Sequence, residues 1–220
     1  MDSKRLQKIG GVAAILEALI YIIAFIFYGG ILAFPKATAS TQEEFNFLSE
    51  NYTTLSILNF ISYVLFGILL VILVAAIYER FKSYAPHFAK IIAAFGMIWV
   101  VLVIASGMIS NIGLHEVVEI GTKDPENAML IWSSVSIVTE GLGGGNEIVG
   151  GIWVLLISIL SIKEKLFSIP LSALGIIVGI AGILTVYPLD IFTEIFGISQ
   201  IVWFLWIGFV MIGKSATPKN

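Results

Sequence analysis

The sequence has no cysteine, only two histidines and few charged residues. Without cysteine, disulfides, thiolate metal sites and cysteine catalysis are excluded. Charged residues make up 12% of the 220 positions, against roughly 25% in soluble domains, and so few charges do not cover a water-facing surface. Hydrophobic residues make up 58%, and the mean hydropathy is +1.00. The composition therefore predicts an integral membrane protein, and the lipid bilayer is its expected partner.

Long apolar runs predict how the chain crosses the bilayer. A helix needs about 20 apolar residues to span a hydrocarbon core roughly 30 Å thick. Five runs meet that length: 9–34, 54–78, 91–112, 167–189 and 193–213. Prolines at or near their ends, such as Pro35 and Pro86, agree with these limits. The predicted fold class is all-α, a single polytopic transmembrane domain over residues 1–220.

The remaining segment, 126–162, is too long for one simple crossing. As a straight helix its 37 residues would measure about 55 Å. Cytoplasmic loops gather Lys and Arg. With the N-terminus inside and one crossing here, only Lys36 and Lys123 of the 12 basic residues fall outside, which leaves 10 inside. We therefore predict a fourth span at 141–162, six transmembrane helices in total, and both termini in the cytoplasm.

The stretch before that span, 126–140, is predicted to be an additional helix. It either lies along the outer interface or extends the span, or it re-enters the membrane beside a cavity, where irregular backbone is tolerated. The first interpretation is favoured, because a glycine next to an acid at an interface needs no special role.

Common cofactor and catalytic motifs are missing from the sequence. The glycine cluster 143–145 has neither the Lys-Ser/Thr of a phosphate-binding loop nor a preceding strand. His87 and His115 are predicted in loops on opposite sides, which excludes a haem held by paired histidines. His115 and Glu119 would share a helix face and form a weak outer metal site only if their loop were helical, and a solvated loop is favoured. No cofactor, metal or enzyme activity is predicted; an enzyme using carboxylates alone stays as the open alternative.

Two glutamates flank the glycine cluster. On a continuous helix, Glu140, Gly144, Glu147 and Gly151 would line one face. Small residues at this spacing typically allow close helix packing, and the fifth span repeats the pattern. Four glycines are therefore predicted to be packing contacts: Gly144, Gly151, Gly175 and Gly179.

Packing does not explain Glu147, which lies about two turns inside the predicted fourth span. Ionisable groups at depth normally face the protein interior or water, and no predicted span interior holds a Lys or Arg. We predict that Glu147 faces the bundle interior, is reached by a polar cavity from the outer side, and is protonated or cation-bound when that cavity is empty. Glu140, nearer the interface, is predicted to stay hydrated. The residues predicted to bind a small molecule or a cation are Glu147, Asn146, Glu140, Asn59, Gln200 and Glu17.

Three tryptophans, Trp99, Trp153 and Trp203, fall near the middle of their predicted spans. Tryptophan usually marks the membrane interfaces instead. Packing within the bundle is favoured over an aromatic pocket for an apolar or cationic ligand.

Three stretches carry a resemblance to a known family: GGGNEIVGGIWVLLIS (143–158), GIIVGIAGILTVYP (175–188) and IVWFLWIG (201–208). With this spacing the chain resembles a family of uncharacterised prokaryotic membrane proteins, described only as a domain of unknown function. The likeness extends from about residue 78 to 213 and is weaker over the first span. It implies a prokaryotic plasma-membrane protein with one six-span domain, and it implies no activity.

Three classes of function are compared on this basis. The favoured class is small-molecule or ion binding or transport through an outer-facing polar cavity around Glu147. The alternative is a structural or accessory subunit that packs through its glycine faces without a ligand, and a homo-oligomer is left open. An intramembrane enzyme has the least support. The net charge of −3 indicates little about partners, because the charges fall in loops on both sides, and no nucleic-acid partner is expected.

Overall fold

Residues 2–144, 147–187 and 189–213 are described by the structure, which is a computed structural model. Over this part the chain forms nine α-helices and no strand. Their bounds are α1 Ser3–Ile26, α2 Thr41–Glu50, α3 Tyr52–Asn59, α4 Phe66–Phe81, α5 Pro86–Gly121, α6 Pro125–Thr139, α7 Ile148–Glu164, α8 Ile169–Leu184 and α9 Asp190–Gly213. Short π-helical turns follow α1, α3 and α6, at Phe27–Ile31, Phe60–Leu65 and Glu140–Gly144. The prediction of an all-α chain is confirmed.

Helix length and surface composition identify a multi-pass membrane protein. Five helical stretches of the described part are long and apolar enough to cross a membrane, and α8 is a shorter apolar helix. The five stretches are Ser3–Ile31, Tyr52–Phe81, Pro86–Gly121, Pro125–Glu164 and Ile191–Gly213. Large apolar side chains lie on the outside of the bundle, such as Val101 and Phe209, each 64% exposed. An apolar surface of this kind is suited to lipid.

Helices α1 and α9 run antiparallel, so the start of α1 and the end of α9 lie together at what we call the terminal end. Gly11 packs on Gly208, and Phe25 packs on Gly197. The opposite end, the cap end, carries α2, α3, the second half of α5, and α6. Two of the ten described Lys and Arg residues, Lys36 and Lys123, lie at the cap end. The other eight lie at the terminal end: Lys4, Arg5, Lys8, Arg80, Lys82, Lys90, Lys163 and Lys165.

A closed circle of five aromatic rings fills the middle of the bundle. This aromatic layer consists of Phe66, Trp99, Trp153, Trp203 and Phe204, whose successive ring centroids are 5.6 to 6.0 Å apart. All five side chains are buried, and most of the ring pairs meet edge to face, the arrangement that aromatic quadrupoles favour. The packing interpretation of the mid-span tryptophans is confirmed.

Glycines allow the helices around this layer to approach closely. A Cβ atom on Gly150 would lie 2.6 Å from the Trp99 ring, and one on Gly151 would lie 2.8 Å from the Gly179 carbonyl oxygen. A Cβ on Gly175 would meet the Trp203 indole nitrogen at 2.8 Å. Small residues therefore bring α7 and α8 into backbone contact, as is common between membrane helices. Gly144 adjoins residues 145–146, which lie outside the described part, so its packing stays a prediction.

Helix α5 continues to Gly121, nine residues beyond the predicted end of its span at 112. The prediction that His115 lies in a loop is therefore wrong. The extension is helical because Leu114 and Val117 are fully buried at the cap end, where they share a second apolar cluster with Ala128 of α6. His115, Glu116 and Glu119 lie on the exposed face of this helix.

Helices α6 and α7 follow α5 antiparallel along most of its length, with a break between them. Gly113 of α5 meets Val135 of α6, and Gly96 meets Trp153 of α7. The break contains Gly143 with φ 115° and ψ 23°, a conformation that residues with a Cβ atom rarely adopt. Helix α7 accordingly begins at Ile148, seven residues later than the predicted span. Helix α6 is the additional helix predicted over 126–140, and the single helical face predicted for 140–151 does not form, because Gly143 departs from helical geometry.

Candidate functional site

A cavity of about 680 Å³ lies at the cap end, among the end of α1 and helices α2, α3, α5 and α6. Acidic and aromatic side chains are prominent in its lining: Tyr28, Phe34, Glu44, Phe47, Trp132 and Glu140. None of the described residues that line this cap cavity is a lysine or an arginine. Its volume is within the range of ligand pockets, and both carboxylates and aromatic faces attract positive charge.

Helix α2 places Glu44 and Phe47 on the cavity wall. The helix begins with a capping box, in which the Ser40 backbone N–H donates to Glu43 at 2.8 Å and the Glu43 N–H donates to the Ser40 hydroxyl. The hydrogen bonds from the Ser40 backbone and hydroxyl hold the pKa of Glu43 below its ordinary value. Phe45 is buried against α5 and α6 and anchors the helix, which leaves Glu44 at the cavity.

A chain of hydrogen bonds joins three helical segments beside the cap cavity. The Tyr28 hydroxyl donates to Asn59 Oδ1 at 3.3 Å, and Asn59 Nδ2 donates to Asn111 Oδ1 at 3.2 Å. Asn111 Nδ2 in turn donates to the Ser56 carbonyl oxygen at 3.2 Å. Asn59, a predicted binding residue, lines the cavity and is 7% exposed. Because the Asn59 side-chain amide is already hydrogen-bonded to Tyr28 and Asn111, Asn59 positions these two residues.

Glu147 lies deeper in the bundle than the cap cavity. The cap cavity reaches α5 at Ser110, whereas Glu147 borders a smaller cavity together with Trp99 and Val103. Thr185 fixes the backbone of Glu147, because the Glu147 N–H donates to the Thr185 hydroxyl at 2.8 Å. Thr185 follows the end of α8 at Leu184, which is earlier than the predicted limit of 189.

Two small cavities contain the Glu147 side chain in their walls. The side cavity, about 260 Å³, lies between α1 and α9 and is bordered by Tyr21, Phe25, Ser62 and Phe196 among others. The inner cavity, about 30 Å³, lies among Tyr21, Ser62, Trp99 and Glu147. Tyr28 and Tyr63 line both the cap cavity and the side cavity. Glu140 lines the cap cavity. Glu147 lines the side cavity, which Tyr28 and Tyr63 separate from the cap cavity.

Three polar atoms at the inner cavity have no hydrogen-bond partner in the described part of the chain: Glu147 Oε2, Ser62 Oγ and Trp99 Nε1. The Trp99 indole lies beside the Glu147 carboxyl group without a hydrogen bond to Oε2. Buried polar atoms are normally satisfied. Their convergence on one cavity marks it as a place for a small polar occupant.

The remaining predicted binding residues are distributed over the bundle. Glu17 on α1 and Gln200 on α9 are both 0% exposed, and none of their side-chain oxygen or nitrogen atoms has a hydrogen-bond partner among the described residues. Neither is among the residues lining the cap, side or inner cavity. Asn146 lies outside the described residues. The structure thus places Asn59 and Glu140 at the cap cavity and Glu147 at the side and inner cavities. Glu17 and Gln200 line none of the three.

Histidine and acidic side chains do not form a metal cluster in the described residues, where no group of three could hold an ion. His115 lies on α5 at the cap end, with Nδ1 3.4 Å from the Tyr52 hydroxyl. His87 lies in the first turn of α5, at the terminal end, so the prediction that it lies in a loop is also wrong.

Comparison with known proteins places the chain in a family. The family model described as "Domain of unknown function (DUF4386)" matches residues 9–214. The chain belongs to the DUF4386 family. No curated protein and no solved structure matches it. The matched region includes the first span, over which the resemblance from three stretches is weaker, so the cap cavity and Glu147 both lie within the DUF4386 domain.

Several residues of this DUF4386 site were missed from the sequence. Glu44, Phe47 and Trp132 lie on α2 and α6, which are too short or too polar to be read as spans, and tertiary packing alone brings them together. Ser62 lies in an apolar run, where a single serine does not indicate a site in the sequence. Trp99 was interpreted as packing, and it both packs in the aromatic layer and borders the inner cavity.

Proposed function

We propose that this DUF4386 protein binds a small organic cation in the cap cavity. The observation that carries the proposal is the lining of that cavity, which combines two carboxylates with five aromatic side chains and has no Lys or Arg among the described residues. The carboxylates belong to Glu44 and Glu140. The aromatic residues are Tyr28, Phe34, Phe47, Tyr63 and Trp132.

The combination of groups selects among ligand classes. An organic cation gains about 0.5–2 kcal/mol over an aromatic face, and the carboxylates add favourable charge. An anion would be repelled by Glu44 and Glu140. A bare metal ion would leave the rings unused, because hard cations take several oxygen ligands at short distance. A ligand with one positive charge and an apolar or aromatic part makes use of both kinds of side chain.

We also propose that the cap end faces the outside of the plasma membrane. Support comes from the described basic residues, eight of which lie at the terminal end and two at the cap end, since cytoplasmic loops collect Lys and Arg. The resemblance noted above implies a prokaryotic cell. In this orientation both termini are cytoplasmic, and the ligand enters the cap cavity from outside.

Calorimetry with tetraphenylphosphonium, a cation with four aromatic rings, tests the proposal on the purified protein. Replacing both acids, Glu44→Gln with Glu140→Gln, is expected to weaken binding about tenfold or more, equivalent to ~1.4 kcal/mol. The matched control is Glu116→Gln, which removes an exposed charge on α5 outside the cavity lining and should leave the Kd unchanged. Neutral triphenylphosphine oxide should bind more weakly than the cation.

Two results would contradict the proposed function. One is the absence of tetraphenylphosphonium binding to the wild-type protein. The other is an equal Kd in the wild type and the doubly substituted variant, because the carboxylates would then play no part in binding.

A further inference from the structure

We propose that the inner and side cavities together bind a single-chain alcohol from the lipid bilayer, with its hydroxyl group in the inner cavity and its alkyl chain in the side cavity. The ligand is a neutral amphiphile, in contrast to the organic cation of the cap cavity. The inference goes beyond the proposed function and does not depend on it, because Tyr28 and Tyr63 separate the side cavity from the cap cavity.

The two cavities adjoin at a shared polar wall. Tyr21, Ser62, Tyr63 and Glu147 line both of them. The inner cavity has a volume of about 30 Å³, which is room for one group of the size of a water molecule. The side cavity is larger, at about 260 Å³. A ligand that occupies both cavities therefore has a small head and a larger body.

The inner cavity presents two donors and one acceptor to that head. Trp99 Nε1 and Ser62 Oγ can donate, and Glu147 Oε2 can accept. None of these three buried atoms has a hydrogen-bond partner in the described part of the chain. A hydroxyl group can accept two hydrogen bonds and donate one. One alcohol group therefore satisfies all three atoms, and leaving such atoms unpaired is costly.

Other head groups match these three atoms less well. An ammonium group has three donors and no acceptor, so the Trp99 indole N–H would stay unpaired beside a positive charge. A carboxylate has acceptors only, and it would bring a second acidic group against Glu147. Water can pair with all three atoms, but it has no part that extends into the side cavity.

The side cavity has a largely apolar wall that suits an alkyl chain. Helices α1 and α9 form this wall with Ile20, Ala24, Phe25, Phe196 and Gly197. Gly197 allows the Phe25 ring to pack on α9, because a Cβ atom on Gly197 would lie 2.8 Å from that ring. An alkyl chain along this wall gains many small van der Waals contacts.

The side cavity opens on the outer surface of the bundle between α1 and α9. Phe25, which lines it, is 42% exposed, and the lining residue Thr193 is exposed as well. Ile26 and Ile198 beside them are exposed apolar residues, as expected of a surface that faces lipid. An alcohol dissolved in the bilayer can therefore enter between the two helices without passing through the cap cavity.

Photolabelling of the protein in lipid nanodiscs tests this site. The probe is a dodecanol derivative with a diazirine at the far end of its chain, and mass spectrometry identifies the labelled peptides. The peptides that contain Phe25 and Thr193 are expected to carry the label. Unmodified dodecanol should compete about fivefold or more effectively than dodecane or dodecylamine, because only the alcohol pairs with all three polar atoms.

Two variants test the head and the chain separately. Ser62→Ala removes one donor and is expected to weaken competition by dodecanol about fivefold, with no effect on dodecane. Ala24→Phe places a ring in the side cavity and should reduce labelling of the site to background. The matched control is Ile23→Phe, which adds the same ring at an exposed position outside the cavity lining and should label as the wild type does.

Equal competition by dodecanol and dodecane would overturn the proposal, and this comparison uses the wild-type protein alone. Stronger competition by dodecylamine would overturn it in favour of a cation site at Glu147. Unchanged competition by dodecanol in Ser62→Ala would mean that water alone occupies the inner cavity. Tetraphenylphosphonium affinity should be the same in Ala24→Phe and the wild type, so failure of this inference and failure of the proposed function are separate results.

Discussion

The membrane core and the cap are held together in different ways. In the core, Gly150 meets Trp99 and Gly151 meets Gly179, so the helices touch through backbone and large rings. In the cap, short helices begin at hydrogen-bonded polar residues such as Ser40 and enclose a cavity of about 680 Å³. The core is closed at mid-depth by five aromatic rings, and the cap is open.

The two regions depend on different interactions. Lipid provides no hydrophobic drive between membrane helices, so the core depends on close van der Waals packing. In the cap, helices α2 and α6 begin at hydrogen-bonded caps, Ser40 and Asp124, and a small apolar cluster around Leu114 and Val117 holds them. The division predicts that stability resides in the core and ligand binding in the cap.

Truncating one tryptophan in each region tests that division most strongly. Trp153→Ala removes a ring that is 0% exposed and is expected to lower the free energy of unfolding by about 3–5 kcal/mol. Trp132→Ala, on the cap cavity, should cost much less and should weaken tetraphenylphosphonium binding. Thermal unfolding in detergent and calorimetry measure the two effects. Equal losses of stability would show that core and cap do not differ as described.

Overfilling a core contact has the next largest expected effect. Gly151→Leu forces a side chain against the backbone of α8, where a Cβ would already lie 2.8 Å from the Gly179 oxygen and the Ile183 nitrogen, and should cost about 1–3 kcal/mol. Gly29→Leu is the control, because a Cβ there meets nothing within 4 Å. An unchanged Tm for Gly151→Leu would contradict the packing of α7 on α8.

The hydrogen-bond chain beside the cap cavity gives a smaller effect. Asn59→Ala leaves the Tyr28 hydroxyl and the Asn111 amide without the partner they have now, so the expected loss is about 1 kcal/mol. Asn46→Ala, which removes an exposed asparagine paired only with Gln42, should leave the Tm close to the wild type. A larger fall for Asn46→Ala than for Asn59→Ala would reverse the assignment.

The smallest predicted effect is a pH dependence at the start of α2. Since the folded-state pKa of Glu43 is lowered by its bonds to Ser40, this contact stabilises the cap above the ordinary glutamate pKa and is lost as the pH falls through the lowered value. Ser40→Ala should therefore lower the Tm slightly at neutral pH, and its difference from the wild type should shrink in acid. A difference that grows in acid would contradict the sign.

The sequence predicted the membrane class and most spans because apolar run length is a local property. It failed where tertiary contacts decide, as at 113–121, where an amphipathic helix end with His115 and Glu119 resembles a loop until α6 covers Leu114. The break at Gly143 was also beyond prediction, since a glycine in an apolar run equally suits a packed helix. Glu147 stood out as a deep acid, but the cap cavity joins Glu44 and Trp132 from distant segments, and no local pattern links them.

The central claim, that the cap cavity is an externally accessible cation site, is tested most directly by single-cysteine labelling. The chain has no cysteine, so each variant carries one thiol. Ser136→Cys lies in the cap cavity, Thr122→Cys is exposed in the turn after α5, and Ser3→Cys lies at the terminal end. In intact cells a membrane-impermeant thiol reagent should label positions 136 and 122 but not 3, and tetraphenylphosphonium should protect position 136 alone. Labelling of position 3 in place of the other two would reverse the orientation, and equal labelling of position 136 with and without the cation would contradict the binding site.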